Sequence, residues 1–255
     1  MIQSVATRKT RVLIACPLHN GTCDAFRRAY ANLQRTPFPE YEMRWYEFGG
    51  GGITVARNHM ASMAVREEYD LLIFVAGDIG FPGDDAAPAI RRAIAHYERG
   101  EHVVGGLYLF KRHPLQLVLV QDEAREPDDF GLIEVEKTGT DFLAISVEAM
   151  RGVIDDWDEI ALRVYQANIP LCFPSEYGKQ WNLFGQAVVY NGEYRLEFLP
   201  EDFYWCRLAR EAGFKVKVDT QIRLQHWGPF NYDASTVTGI DEAVRVPNPK
   251  AEVAR

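Results

Sequence analysis

The run Leu71-Leu72-Ile73-Phe74-Val75 followed by Ala76-Gly77-Asp78-Ile79-Gly80-Phe81-Pro82 constrains the fold more than any other stretch of the chain. A short, unbroken apolar run bounded by turn residues fits a strand buried on both faces. The Gly-Asp pair and the glycine and proline after it end that strand in a loop, which sets a carboxylate at the carboxyl edge of a sheet. Open α/β sheets bind their ligands at that edge. Farther along come Glu201-Asp202, Val218-Asp219 and Gln225-His226-Trp227-Gly228. Carboxylate oxygens and imidazole nitrogens suit Mg²⁺ or Mn²⁺, ions that also grip a diphosphate. The combination points to group transfer from a nucleotide.

The rest of the pattern predicts a single α/β domain with a mixed, mainly parallel sheet flanked by helices. Arg11 to Cys16 reads as the first, central strand, broken by Pro17 and Asn20-Gly21, with Thr22 or Asp24 capping a helix towards Leu33. Tyr41 to Phe48 alternates as a strand does. The run Gly49 to Gly52 leads into a helix carrying Arg57, Asn58, Met60 and Met63. Those glycines fit a phosphate at a helix N-terminus or a mobile turn, and without a Walker lysine both readings stand. Tyr69 to Val75 is the third strand, and Asp84 to Gly100 is a helix with Asp at its start. Strands follow at Val103 to Phe110, Leu115 to Val120 and Leu132 to Glu136. Thr138-Gly139-Thr140 then precedes the apolar Phe142 to Ile145, and a helix runs from Ser146 to about Val153.

Periodicity fades over 155–191, the profile of an acceptor loop or lid. A helix from Glu201 stops at Gly213, and Lys215 to Val218 and Ile222 to Gln225 complete the sheet. The chain thus divides into an N-terminal tail over 1–10, a domain over 11–230 and a C-terminal tail over 231–255. Net charge is −8 among 255 residues, which argues against a nonspecific nucleic-acid grip. The basic pairs Arg27-Arg28, Arg91-Arg92 and Lys111-Arg112 read as solvated faces. Neither a secretory leader nor a membrane span is expected. The four cysteines form no disulfide pattern, so the cytoplasm is the expected compartment.

Five segments in order resemble the GT-A fold glycosyltransferases, in the family 2-like group of bacterial and phage type. They are Ala15-Cys16-Pro17-Leu18-His19-Asn20-Gly21 with Ile53-Thr54-Val55-Ala56-Arg57-Asn58, then Phe74 to Phe81, Thr138 to Ile145, Pro200 to Cys206, and His226. The resemblance spans residues 10 to 230. It implies a GT-A, Rossmann-like sheet and a nucleotide-sugar donor held by Pro17, His19, Asn20, Arg57, Asn58, Gly77 and Asp78. It also implies a Mn²⁺ or Mg²⁺ ion on Asp78 and His226, and a donor-sugar or acceptor segment at Gly139 and Thr140. One position departs from the pattern. Ala76 stands where the family carries the first Asp of Asp-x-Asp, which leaves one carboxylate of the pair and weakens the expectation of a metal.

Glycosyl transfer needs a stabilised leaving diphosphate and a deprotonated acceptor hydroxyl. The family's Glu-Asp motif falls on Glu201 and Asp202 and implies Asp202 as the general base of an inverting reaction. Arg57 suits phosphate, because a guanidinium pairs with it in two-pronged fashion; a salt bridge to a carboxylate is the other reading. Trp181, Trp205 and Trp227 offer rings to a sugar or to the core, Trp227 foremost because it adjoins His226. The acceptor class stays open among a glycan, a protein and a hydroxymethylated DNA base. A nucleotidyltransferase and a non-catalytic sugar-nucleotide or glycan-binding protein are the competing functions.

Overall fold

The computed structural model describes residues 8–18, 21–49, 51–111, 115–121, 126–165, 170–175, 178–190, 196–228 and 231–234. Seven strands form the main sheet: β1 (Arg11–Leu18), β2 (Glu42–Gly49), β3 (Leu71–Val75), β4 (Val103–Leu107), β5 (Leu132–Glu134), β6 (Phe142–Ser146) and β7 (Val216–Arg223). Their order across the sheet is β2-β1-β3-β6-β4-β7-β5. β1, β2 and β3 are parallel, β7 runs parallel to β4, and β6 and β5 run against their neighbours. The sheet is therefore mixed and mostly parallel, as its long apolar runs require.

Among the described residues, six helices cover it: α1 (Asp24–Arg35), α2 (Ile53–Arg66), α3 (Ala87–Glu98), α4 (Val147–Asp155), α5 (Trp157–Tyr165) and α6 (Glu201–Glu211). Successive strand residues face opposite sides, and the core splits accordingly. Leu13, Leu72, Phe74, Leu143 and Ile145 pack against Met60, Met150, Ile160 and Leu208 of α2, α4, α5 and α6. Val12, Ile14, Leu71, Ile73 and Phe142 pack against Phe26, Leu33, Ile90 and Ile94 of α1 and α3. Each fully buried side chain of this kind contributes about 1.5–3 kcal/mol relative to an exposed one.

Several local expectations are revised. β1 lies second from one edge, because β6 and β4 occupy the middle of the sheet. The cap of α1 is Cys23, whose sulfur accepts the Phe26 N–H at 3.3 Å. α3 begins at Ala87, beyond a short 3₁₀ turn, Pro82–Asp84, and Asp85 Oδ1 accepts the Ala87 N–H at 3.0 Å.

The stretch over 155–191 is more regular than its sequence suggests. It holds α5 and a hairpin, Cys172–Ser175 with Gly178–Trp181, and opens a second hairpin, Ala187–Tyr190 with Leu196–Leu199. The first hairpin lies on α2, where Ser62 Oγ accepts the Trp181 N–H at 2.9 Å. That cover explains why α2 buries polar residues such as His59 and Ser62.

β7 is one continuous strand with a register irregularity between Asp219 and Arg223, not two. Gln225–Trp227 then joins a separate small sheet between Ile79–Gly80 and Asn231–Asp233, so residues 231–233 are a strand and not part of a tail. Residues 1–7 and 235–255, the bulk of the expected tails, lie outside the described residues.

Candidate active site

The polar residues gather at one edge of the sheet for a topological reason. β1, β3, β4 and β7 deliver their carboxyl ends there, and β6, running the other way, delivers its beginning. Pro17 comes from β1, Asp78 follows β3, Leu109 and Lys111 follow β4, Asp141 precedes β6, and His226 follows β7. Main-chain hydrogen bonds lace these loops together. Ala76 N–H donates to Asp141 O at 2.8 Å, and Trp227 N–H donates to Asp78 O at 2.8 Å. Gly77 is needed because a Cβ there would meet Gly21 O at 2.6 Å.

Asp78, Asp141 and His226 each offer one ligand atom, and the three atoms lie within 4.8 Å of one another. His226 Nε2 stands 3.4 Å from Asp141 Oδ2 and 3.8 Å from Asp78 Oδ2. Its other nitrogen, Nδ1, donates to Leu109 O at 2.7 Å. A carbonyl oxygen only accepts, so Nδ1 carries a proton, and the ring turns Nε2 towards two carboxylates. A cation between them satisfies all three groups, and two oxygens with one nitrogen are a suitable set for Mn²⁺ or Mg²⁺.

Arg57, only 3% exposed, bridges the next layer. Its Nη2 donates to Asp141 Oδ1 at 3.0 Å and its Nη1 to Glu201 Oε1 at 2.7 Å. Arg57 Nε is buried with no partner among the described residues. Pro17, Ile53, Arg57, Ala76, Gly77, Asp78, Asp141 and Glu201 line a cavity of about 140 Å³. A larger groove of about 770 Å³ opens at the opposite edge, near Asp70, Tyr97, Glu148, Arg151 and Phe214. Among the described residues, it holds no converging ligand atoms such as those of Asp78, Asp141 and His226, so the smaller cavity is the better candidate.

Electrostatics separates the carboxylates. Burial works to raise Asp78, but His226 and Lys111 outweigh it and hold the group at about 2. The Lys111 ammonium is ion-paired with Asp78 Oδ2, and His226 Nε2 stands 3.8 Å from the same oxygen. Burial raises Asp141, against the pull of Arg57. Asp202 rises to about 6, chiefly through burial, with Arg57 opposing and Glu201 reinforcing. Asp202 sits in the first turn of α6 and stands outside the residues that line the cavity.

The remaining predicted residues fall as follows. His19 and Asn20 lie outside the described residues. Asn58 is turned into packing: its Nδ2 donates to Asn182 Oδ1 at 3.0 Å and its Oδ1 accepts the Phe184 N–H at 2.8 Å. Gly139 passes against Tyr108, whose Oη would lie 1.8 Å from an added Cβ. Thr140 Oγ1 and Trp227 Nε1 are buried without partners among the described residues. Trp205 is fully buried and stacks on Phe184 at 5.4 Å, a core role. Asp219 belongs elsewhere, paired with Arg92 and His96.

Three residues were not anticipated. Asp141 stands with Asp78 and His226 and offers a third ligand atom. Lys111, expected on a solvated face, is ion-paired with Asp78. Tyr108 supports both sides of the site: its Oη accepts the Asp141 N–H at 3.1 Å, and its ring meets His226 edge-on at 5.3 Å. Only the aspartate after Thr138-Gly139-Thr140 carried a hint, as an acidic residue directly before an apolar run.

The sequence matches no protein-family model and no curated protein. Among solved structures it is similar to A197 from STIV, with a TM-score of 0.51, 14% identity and 86% of each chain covered. At that identity the likeness concerns the fold, a mixed α/β domain. Among the described residues, no helix is long and apolar enough to cross a membrane.

Proposed function

We propose that this protein is a nucleotide-sugar-dependent glycosyltransferase of the GT-A, family 2-like kind, inverting, with Asp202 as its general base. The observation that carries the reading is the meeting of Asp78, Asp141 and His226 beside the Arg57-lined cavity at the carboxyl edge of the sheet. Such an edge is where open α/β sheets take nucleotides. Those three residues would hold a divalent ion, which would supply Lewis-acid stabilisation to a departing diphosphate. Arg57 adds a fixed positive charge on the cavity wall.

The acceptor hydroxyl oxygen attacks the anomeric carbon as the bond from that carbon to the phosphate oxygen breaks, and the hydroxyl proton passes to Asp202. A carboxylate raised to about 6 is ionised at neutral pH yet basic enough to take that proton. Glu201, beside it, is tied to Arg57 and orients the start of α6. The acceptor class is a glycan, a protein or a hydroxymethylated DNA base, and the reaction belongs in the cytoplasm.

A thermal-shift screen of nucleotide sugars, with and without Mn²⁺, tests the reading, because a ligand that binds the native state raises its stability. The hit is then carried into transfer assays with Asp202→Asn. Donor affinity should persist while transfer falls by about 10²-fold or more, in kcat rather than KM. A protein that binds no nucleotide sugar and no nucleoside diphosphate is not a glycosyltransferase.

A further inference from the structure

Lys111 sits where the site would receive a cation. Its ammonium is ion-paired with Asp78 Oδ2, the oxygen that also faces His226 Nε2 at 3.8 Å. The side chain is 30% exposed, and its partner 31%, so the pair stands at the mouth of the site rather than in the core. Its placement is built in. Lys111 leaves the segment that Leu109 anchors to His226 Nδ1, and its stem lies on Gly228, where an added Cβ would come within 3.0 Å of Lys111 Cδ. Ala76 brings no charge to the strand end, and Lys111 sets a positive one against the Asp78 carboxylate.

We propose that Lys111 is a built-in competitor for the divalent cation: ammonium and metal ion exclude each other at Asp78, and Lys111 thereby weakens the protein's own affinity for the ion. This rests on the cation-site reading above. A metal ion that bridges Asp78 and His226 by the short path between them meets the oxygen that the ammonium occupies, and a positive charge in contact with that oxygen repels a doubly charged ion. Asp141, held by Arg57 at its other oxygen, offers no such competition. Lys111 is a positioning residue here and touches neither donor nor acceptor in this role.

Calorimetric titration of Mn²⁺ into the metal-free full chain distinguishes the readings, using wild type, Lys111→Met, Lys111→Arg and Asp78→Asn. Thermal melts of the same samples verify that each is folded. Lys111→Met should bind Mn²⁺ more tightly than wild type by up to about fivefold, the equivalent of one lost exposed ion pair. Lys111→Arg, which keeps the charge, should stay near wild type. A merely structural lysine would weaken binding when removed, never tighten it. Equal or weaker binding by Lys111→Met overturns the competition while leaving the cation site standing. Absence of Mn²⁺ binding in every variant, Lys111→Met included, overturns the site and the competition together, whereas binding by Lys111→Met alone supports both.

Discussion

Two aspartate–histidine clusters lie in this domain, and they are opposites. In the first, Asp219 on β7 is fully buried and every approach to it is filled. Arg92 donates from Nε to Oδ2 at 2.7 Å and from Nη2 to Oδ1 at 3.1 Å, His96 Nε2 donates at 2.7 Å, and Gln221 N–H at 2.8 Å. Arg99 donates to His96 Nδ1, so the proton of the neutral ring sits on Nε2 and points at the carboxylate. In the second, a backbone carbonyl accepts the hydrogen bond from His226 Nδ1, and Nε2 faces Asp78 and Asp141 instead. The same residue types make a closed brace in one place and an open ligand set in the other. What differs is the partner on the far nitrogen of the histidine.

The largest expected effect falls on the closed cluster. Asp219→Ala should destabilise the fold by about 3–5 kcal/mol, because it leaves Arg92 and His96 without the carboxylate that compensates them. Chemical denaturation measures this. Burial works to raise Asp219, but His96 and Arg92 outweigh it and depress the group. A depressed carboxylate contributes stability above its unfolded value of about 4, and that stability is lost as pH falls through the folded value. Wild type should therefore weaken steeply below about pH 4, and Asp219→Asn should show a shallower acid limb. A variant as stable as wild type would remove the distinction between the two clusters.

Next in size is Gly139→Ala. The added methyl would meet Tyr108 Oη at 1.8 Å, and Tyr108 holds both the Asp141 backbone and the His226 ring. Overpacking of this kind costs about 1–3 kcal/mol. If the open cluster depends on Tyr108, the variant should also bind Mn²⁺ more weakly, while the Asp219 brace is untouched. Normal Mn²⁺ affinity in a destabilised variant would show that Tyr108 is core packing alone.

Asp202→Asn should act with the opposite sign to Asp219→Ala. The Asp202 carboxyl is raised by burial to about 6 in the folded protein. A raised carboxyl binds its proton more tightly when folded, so stability declines as pH rises from about 4 to 6 and stays low above. Asparagine carries no charge to bury, and the variant should gain about 1–2 kcal/mol at pH 7 and nothing at pH 4. Wild-type transfer should fall off below about pH 6 as the base is protonated. A variant less stable than wild type at pH 7 would mean that Asp202 is held by favourable contacts, like Asp219.

The sheet was legible because strands covered on both faces write themselves as unbroken apolar runs, as at Val12 to Cys16 and Leu71 to Val75. The edge of the sheet was legible for the same reason, since Asp78 terminates such a run. Asp141 was not, because its arrival at that edge depends on β6 running against β3, and local sequence does not record direction. Lys111 escaped since a basic pair after a strand looks the same whether solvated or folded back onto a carboxylate. The stretch over 155–191 read as irregular because its strands are short and α2 takes up their inner faces, which leaves too few residues to set a period.

The smallest expected effect on stability, and the sharpest contrast with Asp219, belongs to Asp78→Asn. Asp78 is 31% exposed, and its ion-pair partner Lys111 is equally reachable by water. An ion pair so placed contributes about 0–1 kcal/mol, far less than its low pKa would suggest if the pair were dry. The variant should therefore melt within about 1 kcal/mol of wild type, since Asn still fills the same space. Its loss should appear only when ligand is added: the stabilisation that Mn²⁺ gives wild type should vanish, because one of three converging ligands has lost its charge. Parallel melts with and without Mn²⁺ read both quantities. A large loss of stability without metal would place Asp78 with Asp219 as a structural brace, and an undiminished response to Mn²⁺ would remove it from the cation site. If neither occurs, the two clusters divide as their hydrogen bonds indicate, one holding the sheet together and the other left open for a ligand.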